Sequence, residues 1–335
     1  MRVTTARWLP VYLSHVLLMA CFYALSCSSL YAASIYGPWR NVAGLFLLCL
    51  ALFGWIPLWR ASHQGLSLRG NPYFLFLALL VRRLPRRRLR PTWGWYWRHR
   101  LVRYRWALLV LKAYYLPLVL GNLLVSLQTV AAIIADRAEV VLTLPMILVV
   151  VRRLAMIVSA SFATVGYTVE SRRYGSPILA VETNLLGWLV CLACYPPLNQ
   201  LPSLLITGRF WQEYRLFPAG SLPDNCCAVL GGVFLLVHTW TIAVQGKRFA
   251  NLTYRGTISH GPFSLVRHPQ YATKMLWWLF EWLPFFGSPL NAVFFCGWVS
   301  LYVGRGLTEE RFLSRFPDYR EYKRRVRCRF IPGVW

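Results

Sequence analysis

The chain alternates long apolar runs with short segments rich in arginine. Residues 8–33 and 41–59 carry no formal charge, and residues 106–134 contain only Lys112. These runs match or exceed the roughly 20 residues that an α-helix needs to cross the hydrocarbon core of a bilayer. The other long runs are 140–167, 184–207 and 226–245. The pattern predicts an all-α, polytopic integral membrane protein.

Two shorter apolar runs, residues 270–286 and 290–304, follow near the end of the chain. They are separated by Gly287-Ser288-Pro289, a sequence typical of a tight turn, so we expect them to form a helical hairpin. The tail beyond the hairpin sets apolar side chains among basic ones, as in an amphipathic helix at a membrane surface. These apolar residues are Phe312, Leu313, Phe316, Tyr319 and Tyr322. The complete expectation is about eight transmembrane helices, with the C-terminal hairpin and an amphipathic cytoplasmic tail.

The charged residues are few and unevenly distributed. Lysine and arginine number 37 against 11 acidic residues, and the formal net charge is +26. Ten arginines lie in residues 82–105, and a second basic cluster occupies residues 305–329. Such clusters stay on the cytoplasmic side of a membrane, near anionic headgroups. We therefore expect both termini, the 82–105 loop and the loop around His268 to be cytoplasmic, in a bacterial inner membrane or in the endoplasmic reticulum.

The overall composition argues against nucleic acid as a partner and in favour of membrane lipids. Hydrophobic residues make up 57% of the chain and aromatic residues 16%, and the mean hydropathy is +0.44. Tryptophan and tyrosine interleaved with basic residues are typical of the belts at a bilayer surface. Cys191 and Cys194 lie inside an apolar run, where small residues three apart usually serve helix packing. No metal site and no disulfide framework are predicted.

Besides Lys112, four charged residues interrupt the apolar runs. Lys274 and Glu281 are seven residues apart and share one face of the first hairpin helix, while Arg152 and Arg153 interrupt the fourth run. A charge at membrane depth costs on the order of 3 kcal/mol on insertion scales. Lys274 and Glu281 are therefore expected to face a cavity or to contact another transmembrane helix. Arg152 and Arg153 indicate either that the fourth run lines a polar cavity or that its boundaries differ from residues 140–167.

The most specific pattern lies around the hairpin. Pro269 suits the first turn of a helix, where its missing N–H is not needed, and the exposed amides of such a turn favour anions. The segments Arg267-His268-Pro269-Gln270-Tyr271, Arg305…Glu309-Glu310 and Phe316…Tyr319…Tyr322…Val326…Ile331-Pro332 occur in this order. Together they resemble the isoprenylcysteine carboxyl methyltransferase family, and related phospholipid methyltransferases and sterol reductases share parts of the pattern. The likeness covers about a quarter of the chain, residues 247–335. It suggests a division into amino-terminal transmembrane helices, residues 1–245, and a methyltransferase-like part, residues 246–335.

The resemblance implies methyl transfer from S-adenosylmethionine to a lipophilic or lipid-attached acceptor at the cytoplasmic face. By position, Arg305 matches the family's substrate-positioning arginine, and Glu309 matches its cofactor-binding acid. The family's cofactor loop corresponds here to Arg255, Gly256, Thr257 and Ile258. The remaining implied cofactor residues are Phe263, His268, Pro269, Gln270 and Tyr271. This chain departs from the family in having Phe263 where tyrosine is frequent and Thr273 where glycine is common.

The chemistry of these residue types agrees with that role. A carboxylate such as Glu309 can bind a ribose hydroxyl or an ammonium group, and an aromatic ring such as Tyr271 suits a sulfonium. Arg305 can bind an acceptor carboxylate in a bidentate pair. Simpler explanations are interfacial anchoring by Arg267 and His268, and capping of a tail helix by Thr308 with Glu309 and Glu310 in its first turn. An NADPH-dependent sterol-type reductase and a non-catalytic membrane scaffold are the alternative functions.

Overall fold

The computed structural model describes residues 37–56, 100–135, 143–168, 175–195 and 214–334, with isolated helical positions between residues 9 and 24. The first predicted transmembrane run, residues 8–33, and the arginine-rich loop up to residue 99 lie largely outside these ranges. The chain divides into two compact units, residues 1–118 and 119–335. Every residue predicted to bind cofactor or substrate belongs to the second unit.

The described part of the chain is mostly helical. Its helices are α1 (Gly37–Phe53), α2 (Arg100–Ala135), α3 (Leu144–Thr168), α4 (Leu185–Ala193), α5 (Leu222–Gln245), α6 (Pro269–Trp282), α7 (Pro289–Leu313) and α8 (Pro317–Arg325). By length and composition, four helical stretches within it can cross a membrane: Trp106–Ala135, Leu144–Thr168, Leu222–Arg248 and Pro289–Leu313. The prediction of a helical protein with transmembrane helices is confirmed to this extent.

The second unit is built around α5, which packs against both α3 and α6, while α4 packs against α7. Ala155 of α3, Leu235 of α5 and Trp277 of α6 are buried together in one cluster. At the end of α3, Gly166 lies so close to the chain after α5 that an added Cβ would be 1.9 Å from the Phe249 carbonyl oxygen. Only glycine therefore permits this approach, which places the segment after α5 beside the end of α3.

The C-terminal hairpin forms as predicted, with one difference in length. Pro269 occupies the first turn of α6, and Pro289 that of α7, on either side of the turn. The second helix continues well past residue 304, to Leu313, and α8 starts only at Pro317. The expectation that Thr308 caps a tail helix is therefore wrong, because Thr308 lies inside α7 and its hydroxyl donates to the Arg305 carbonyl at 2.9 Å.

Three of the charged groups in the apolar runs, Arg152, Lys274 and Glu281, have identifiable neighbours. Glu281 of α6 forms an ion pair with Arg152 of α3, so the expected contact with another helix is confirmed for Glu281. The Lys274 ammonium lies 5.8, 5.3 and 5.2 Å from the ring centres of Tyr195, Trp278 and Tyr302 respectively. Aromatic faces stabilise a cation at such distances.

A two-stranded antiparallel ladder fixes the loop between α5 and α6. Strand β1 (Ala180–Val181) pairs with β2 (Thr253–Tyr254), with Ala180 opposite Tyr254. The backbone N–H of Glu182 also donates to the Leu252 carbonyl at 2.8 Å, and Leu252 adopts a positive φ of 56°. The ladder holds this loop beside the start of α4, where the candidate site lies.

Candidate functional site

Two adjoining clefts lie where the α5–α6 loop, α6 and α7 meet. The first, here called the loop cleft, encloses about 690 Å³ including the space open to its surroundings. The second, the helix cleft, encloses about 520 Å³ on the same measure and reaches α4. Their shared wall consists of Gln245, Ala250, Thr253, Gln270, Tyr271 and Glu309.

The predicted site residues converge on these clefts. Arg305 lines the helix cleft. Pro269 is buried at the start of α6 and positions its neighbours there. The loop cleft is lined by the other predicted cofactor residues: Arg255, Gly256, Thr257, Ile258, Phe263, His268, Gln270, Tyr271 and Glu309. Residues spread over 55 positions of the sequence therefore share one region of the fold.

Tyr271 and Glu309 form the centre of the shared wall. The Tyr271 hydroxyl donates a hydrogen bond to Glu309 Oε2, which joins the first turn of α6 to the last turns of α7. Acidic side chains are unfavourable near the C-terminus of a helix, because the helix dipole is negative there. Capping therefore does not explain Glu309, and its carboxylate is available to the clefts on both sides.

Glu310, the neighbouring acid, lines neither cleft and anchors the tail. Its Oε1 lies 3.1 Å from Arg267 Nη2 and 2.6 Å from Lys323 Nζ, and its Oε2 lies 3.0 Å from Arg329 Nε. The backbone N–H groups of Arg267 and His268 also donate to carbonyls of the tail, both at 2.9 Å. The two adjacent acids therefore serve different purposes, Glu309 in the clefts and Glu310 in the packing of the tail.

Arg305 is a buried cation held among polar and aromatic groups. Its guanidinium donates to Asn251 Oδ1 and lies 5.1 and 5.0 Å from the ring centres of Tyr195 and Tyr271. Within the described ranges, none of the ion pairs includes Arg305. A buried charge is favourable only when it is paired or strongly hydrogen-bonded, so an anion bound in the helix cleft would complete its surroundings.

Arg255 supports the loop cleft by hydrogen bonds to neighbouring segments of the chain. Its guanidinium donates to Ser176 Oγ and to the Gly166 carbonyl, both at 2.6 Å, and to the Lys247 carbonyl at 3.2 Å. These bonds tie the loop to the ends of α3 and α5. Gly256, the next residue, has a φ of 93°, in the region that favours glycine.

Asp318 of α8 closes the other end of this loop. Its carboxylate accepts from the Thr257 N–H at 3.2 Å, from the Thr257 hydroxyl at 2.6 Å, and from the Tyr254 hydroxyl. Burial alone would raise the pKa of Asp318, but the hydrogen bonds from Thr257 and Tyr254 bring that pKa below its ordinary value. Burial, and then the hydrogen bond to Asp318, raise the pKa of Tyr254 to about 12.

Several residues that line the clefts were missed by the sequence interpretation. Glu182 is buried in the helix cleft, and its Oε1 accepts from the N–H groups of Thr183 and Asn184, both at 2.8 Å. Asn251 orients Arg305, and Gln245 lies in the shared wall. Glu182 precedes the part of the chain covered by the family resemblance. Its only sequence signal is an isolated acid just before an apolar run.

The described residues contain no group of three or more histidine, cysteine or acidic side chains arranged to hold a metal ion.

Comparison of the chain with models of known protein families, with curated proteins and with solved structures finds no match. The functional argument therefore depends on the geometry of the two clefts and on the residues that line them.

Proposed function

We propose that the protein is an integral membrane methyltransferase that uses S-adenosylmethionine and modifies a lipid-soluble or lipid-attached acceptor, such as an isoprenylcysteine-type carboxylate. One observation carries the proposal. All residues of the predicted cofactor set except Pro269 line one cleft, Arg305 lines the next, and Tyr271 and Glu309 stand between them. A donor site and an acceptor site that share a wall are what a direct group transfer needs.

The side chains present fit this cofactor and a carboxylate acceptor. Bound S-adenosylmethionine supplies an electrophilic methyl group. Glu309 can hold a ribose hydroxyl or the ammonium group by a charge-assisted hydrogen bond, and the Tyr271 ring offers an aromatic face to a cation. Arg305 orients an acceptor carboxylate through two parallel hydrogen bonds. No proton has to move when a carboxylate becomes a methyl ester, so these residues position the reactants and exclude water.

Access from the membrane fits the surface of α4. Leu185, Leu186 and Leu189 are all more than half exposed, while Gly187 and Cys191 of the same helix line the helix cleft. In a bilayer the leucines would contact lipid, so a lipophilic acceptor would reach Arg305 without crossing water.

The full proposal has about eight transmembrane helices, with both termini and the His268 loop cytoplasmic. Cysteine-accessibility labelling that places the tail and this loop on opposite faces would contradict that topology.

Ligand-dependent stability provides the direct test of the proposal. A ligand that binds only the native state stabilises it by about 2.7 kcal/mol when present at a hundred times its Kd. We expect S-adenosylhomocysteine, but not NADPH, to raise the unfolding midpoint of the purified protein in detergent. Lipid mass spectrometry of cells with and without the protein should then reveal a species heavier by one methylene group. Stabilisation by NADPH alone would favour the sterol-type reductase, and no response to either ligand would favour the scaffold.

A further inference from the structure

Lys274 of α6 is a second cation close to Arg305. Its ammonium and the Arg305 guanidinium lie 5.8 and 5.1 Å, respectively, from the centre of the same ring, that of Tyr195. Lys274 is partly buried, and among the residues that the structure describes no ion pair involves it. The resemblance around the hairpin assigns no role to Lys274. The fold therefore holds two cations next to one aromatic ring, and neither has an acidic partner there.

The two cations also lie at a similar depth in the hairpin. The hydrogen bond between Tyr271 and Glu309 marks the level of the shared wall on both helices. At 1.5 Å per residue, Lys274 lies about 4.5 Å beyond Tyr271 along α6, and Arg305 lies about 6 Å before Glu309 along α7. Because the helices run in opposite directions, both displacements lead from the shared wall towards the turn of the hairpin. One cation therefore comes from each helix, at about the same distance from the wall.

The acids that line the helix cleft do not neutralise these cations. They are Glu182 and Glu309, and neither forms an ion pair with Lys274 or Arg305 in the described part of the chain. The aromatic rings around Lys274 attract a cation, but they carry no net charge. Two like charges held close together disfavour each other's charged state. An anion bound to both cations would restore the balance.

The number of charges indicates the kind of headgroup that fits. A carboxylate carries one negative charge, which balances only one of the two cations. A phosphate monoester carries about 1.5 to 2 negative charges near neutral pH and has three strong acceptor oxygens. Under the proposed function, Glu309 can balance the positive sulfonium of the cofactor. Lys274 and Arg305 would then remain for the acceptor, and together they match a phosphate monoester.

We propose that Lys274 and Arg305 together bind the phosphate monoester headgroup of a lipid acceptor. The inference rests on the proposed function in that this lipid is the methyl acceptor. Arg305 binds two phosphate oxygens through its planar fork, and Lys274 binds the third as a point charge. The rings of Trp278 and Tyr302, 5.3 and 5.2 Å from the Lys274 ammonium, offer apolar surface to the adjoining lipid chain. A lipid phosphate therefore fits the surroundings better than free phosphate does.

The test compares dodecyl phosphate with laurate, two amphiphiles with similar chains and different headgroups. Both are titrated by calorimetry into the full-length protein in an uncharged detergent, at about pH 8, where the phosphate is doubly charged. We expect dodecyl phosphate to bind about 10- to 150-fold more tightly than laurate, as for one additional hydrogen bond to a charged group. Inorganic phosphate, titrated in parallel, should bind more weakly than dodecyl phosphate because it lacks the apolar chain.

Three variants connect this preference to Lys274. Lys274→Met removes the charge but keeps an apolar side chain, so it should abolish the preference for phosphate and change the affinity for laurate little. Lys274→Arg keeps the charge and should retain most of the preference. Lys247→Met is the matched control, because Lys247 is an exposed lysine in the turn after α5, and it should retain the preference in full. A purely structural Lys274 would shift the unfolding midpoint of Lys274→Met without changing the headgroup preference.

The outcomes separate this inference from the proposed function, which is tested by titration of S-adenosylhomocysteine. Equal binding of the two amphiphiles, or a phosphate preference that survives Lys274→Met, would overturn the phosphate site and leave the methyltransferase proposal standing if S-adenosylhomocysteine binds. A phosphate preference that depends on Lys274, in a protein that does not bind S-adenosylhomocysteine, would support the site while the methyltransferase proposal fails. Inorganic phosphate that binds as tightly as dodecyl phosphate would overturn the assignment to a lipid.

Discussion

Replacing Glu309 by glutamine removes one charge from the wall between the two clefts and changes little else. The amide oxygen of glutamine can still accept the hydrogen bond that the Tyr271 hydroxyl donates to Glu309. The side chain lies in the last turns of α7, where the helix dipole disfavours a negative charge. We therefore expect Glu309→Gln to fold with unchanged or slightly raised stability.

The affinity for the cofactor should fall much more than the stability. A hydrogen bond to a charged group is worth about 1.5–3 kcal/mol, which corresponds to a roughly 10- to 150-fold loss of affinity. Calorimetric titration of S-adenosylhomocysteine into wild type and Glu309→Gln measures this directly. The loss should be independent of any methyl acceptor, because it concerns the cofactor alone.

Glu310→Gln is the matched control, since it makes the same chemical change one residue away. Glu310 is buried among Arg267, Lys323 and Arg329, and removing one partner of a buried ion pair typically costs about 3–5 kcal/mol. This variant should therefore unfold at a lower temperature but bind S-adenosylhomocysteine normally where it is folded. Undiminished affinity in a folded Glu309→Gln would refute the assignment of Glu309 to the cofactor.

Three further predictions concern other residues. Arg305→Lys should leave the affinity for the cofactor nearly intact, because Arg305 is assigned to the acceptor. The variant should lower kcat/KM for methyl transfer at least about tenfold, roughly 1.4 kcal/mol, because lysine lacks the planar fork of the guanidinium. Unchanged methyl-transfer kinetics would argue against acceptor binding by Arg305. Since the folded pKa of Asp318 is depressed, its stabilisation is present above the unfolded value of about 3.9. It is lost as the pH falls through the folded pKa, so Asp318→Asn should flatten the dependence of the unfolding midpoint on pH below about 4. Glu281→Gln should lower the midpoint by leaving Arg152 unpaired, and Arg152→Met/Glu281→Leu should recover much of it.

Local signals in the sequence were sufficient for the hairpin but not for the pairing of distant groups. Pro269 was predicted to start its helix because the first turn needs no N–H from it. Pro289 was assigned to the turn, and in the structure it begins α7 in the same way. The partner of Glu281 is Arg152, which is 129 residues away. This pair forms only because α3 and α6 lie close together in the folded chain. From the sequence, one could predict that a charge in an apolar run has a partner, but not which residue it is.

The candidate site shows the same division between local and tertiary information. The resemblance around the hairpin identified Tyr271 and Glu309, which meet in the shared wall. It assigned only Glu309 to the cofactor, and the 100° step between successive helical residues directs Glu309 towards the clefts and Glu310 towards the tail. Glu182 was missed because only the β1–β2 ladder brings it beside the loop that contains Asn251.

The continuation of α7 beyond its apolar run is what the proposed function requires of a helix that contacts both a lipid acceptor and a water-soluble cofactor. The apolar run ends at residue 304, and α7 ends at Leu313. At 1.5 Å per residue, Arg305 lies about 1.5 Å and Glu309 about 7.5 Å beyond the run. Under the proposed function, an acceptor anchored in the bilayer would reach Arg305 at the end of the apolar run, and the cofactor would bind one turn further along α7, at Glu309. Arg305 and Glu309 are one helical turn apart on the same face of α7. The methyl donor and the methyl acceptor would therefore meet at the boundary between lipid and water.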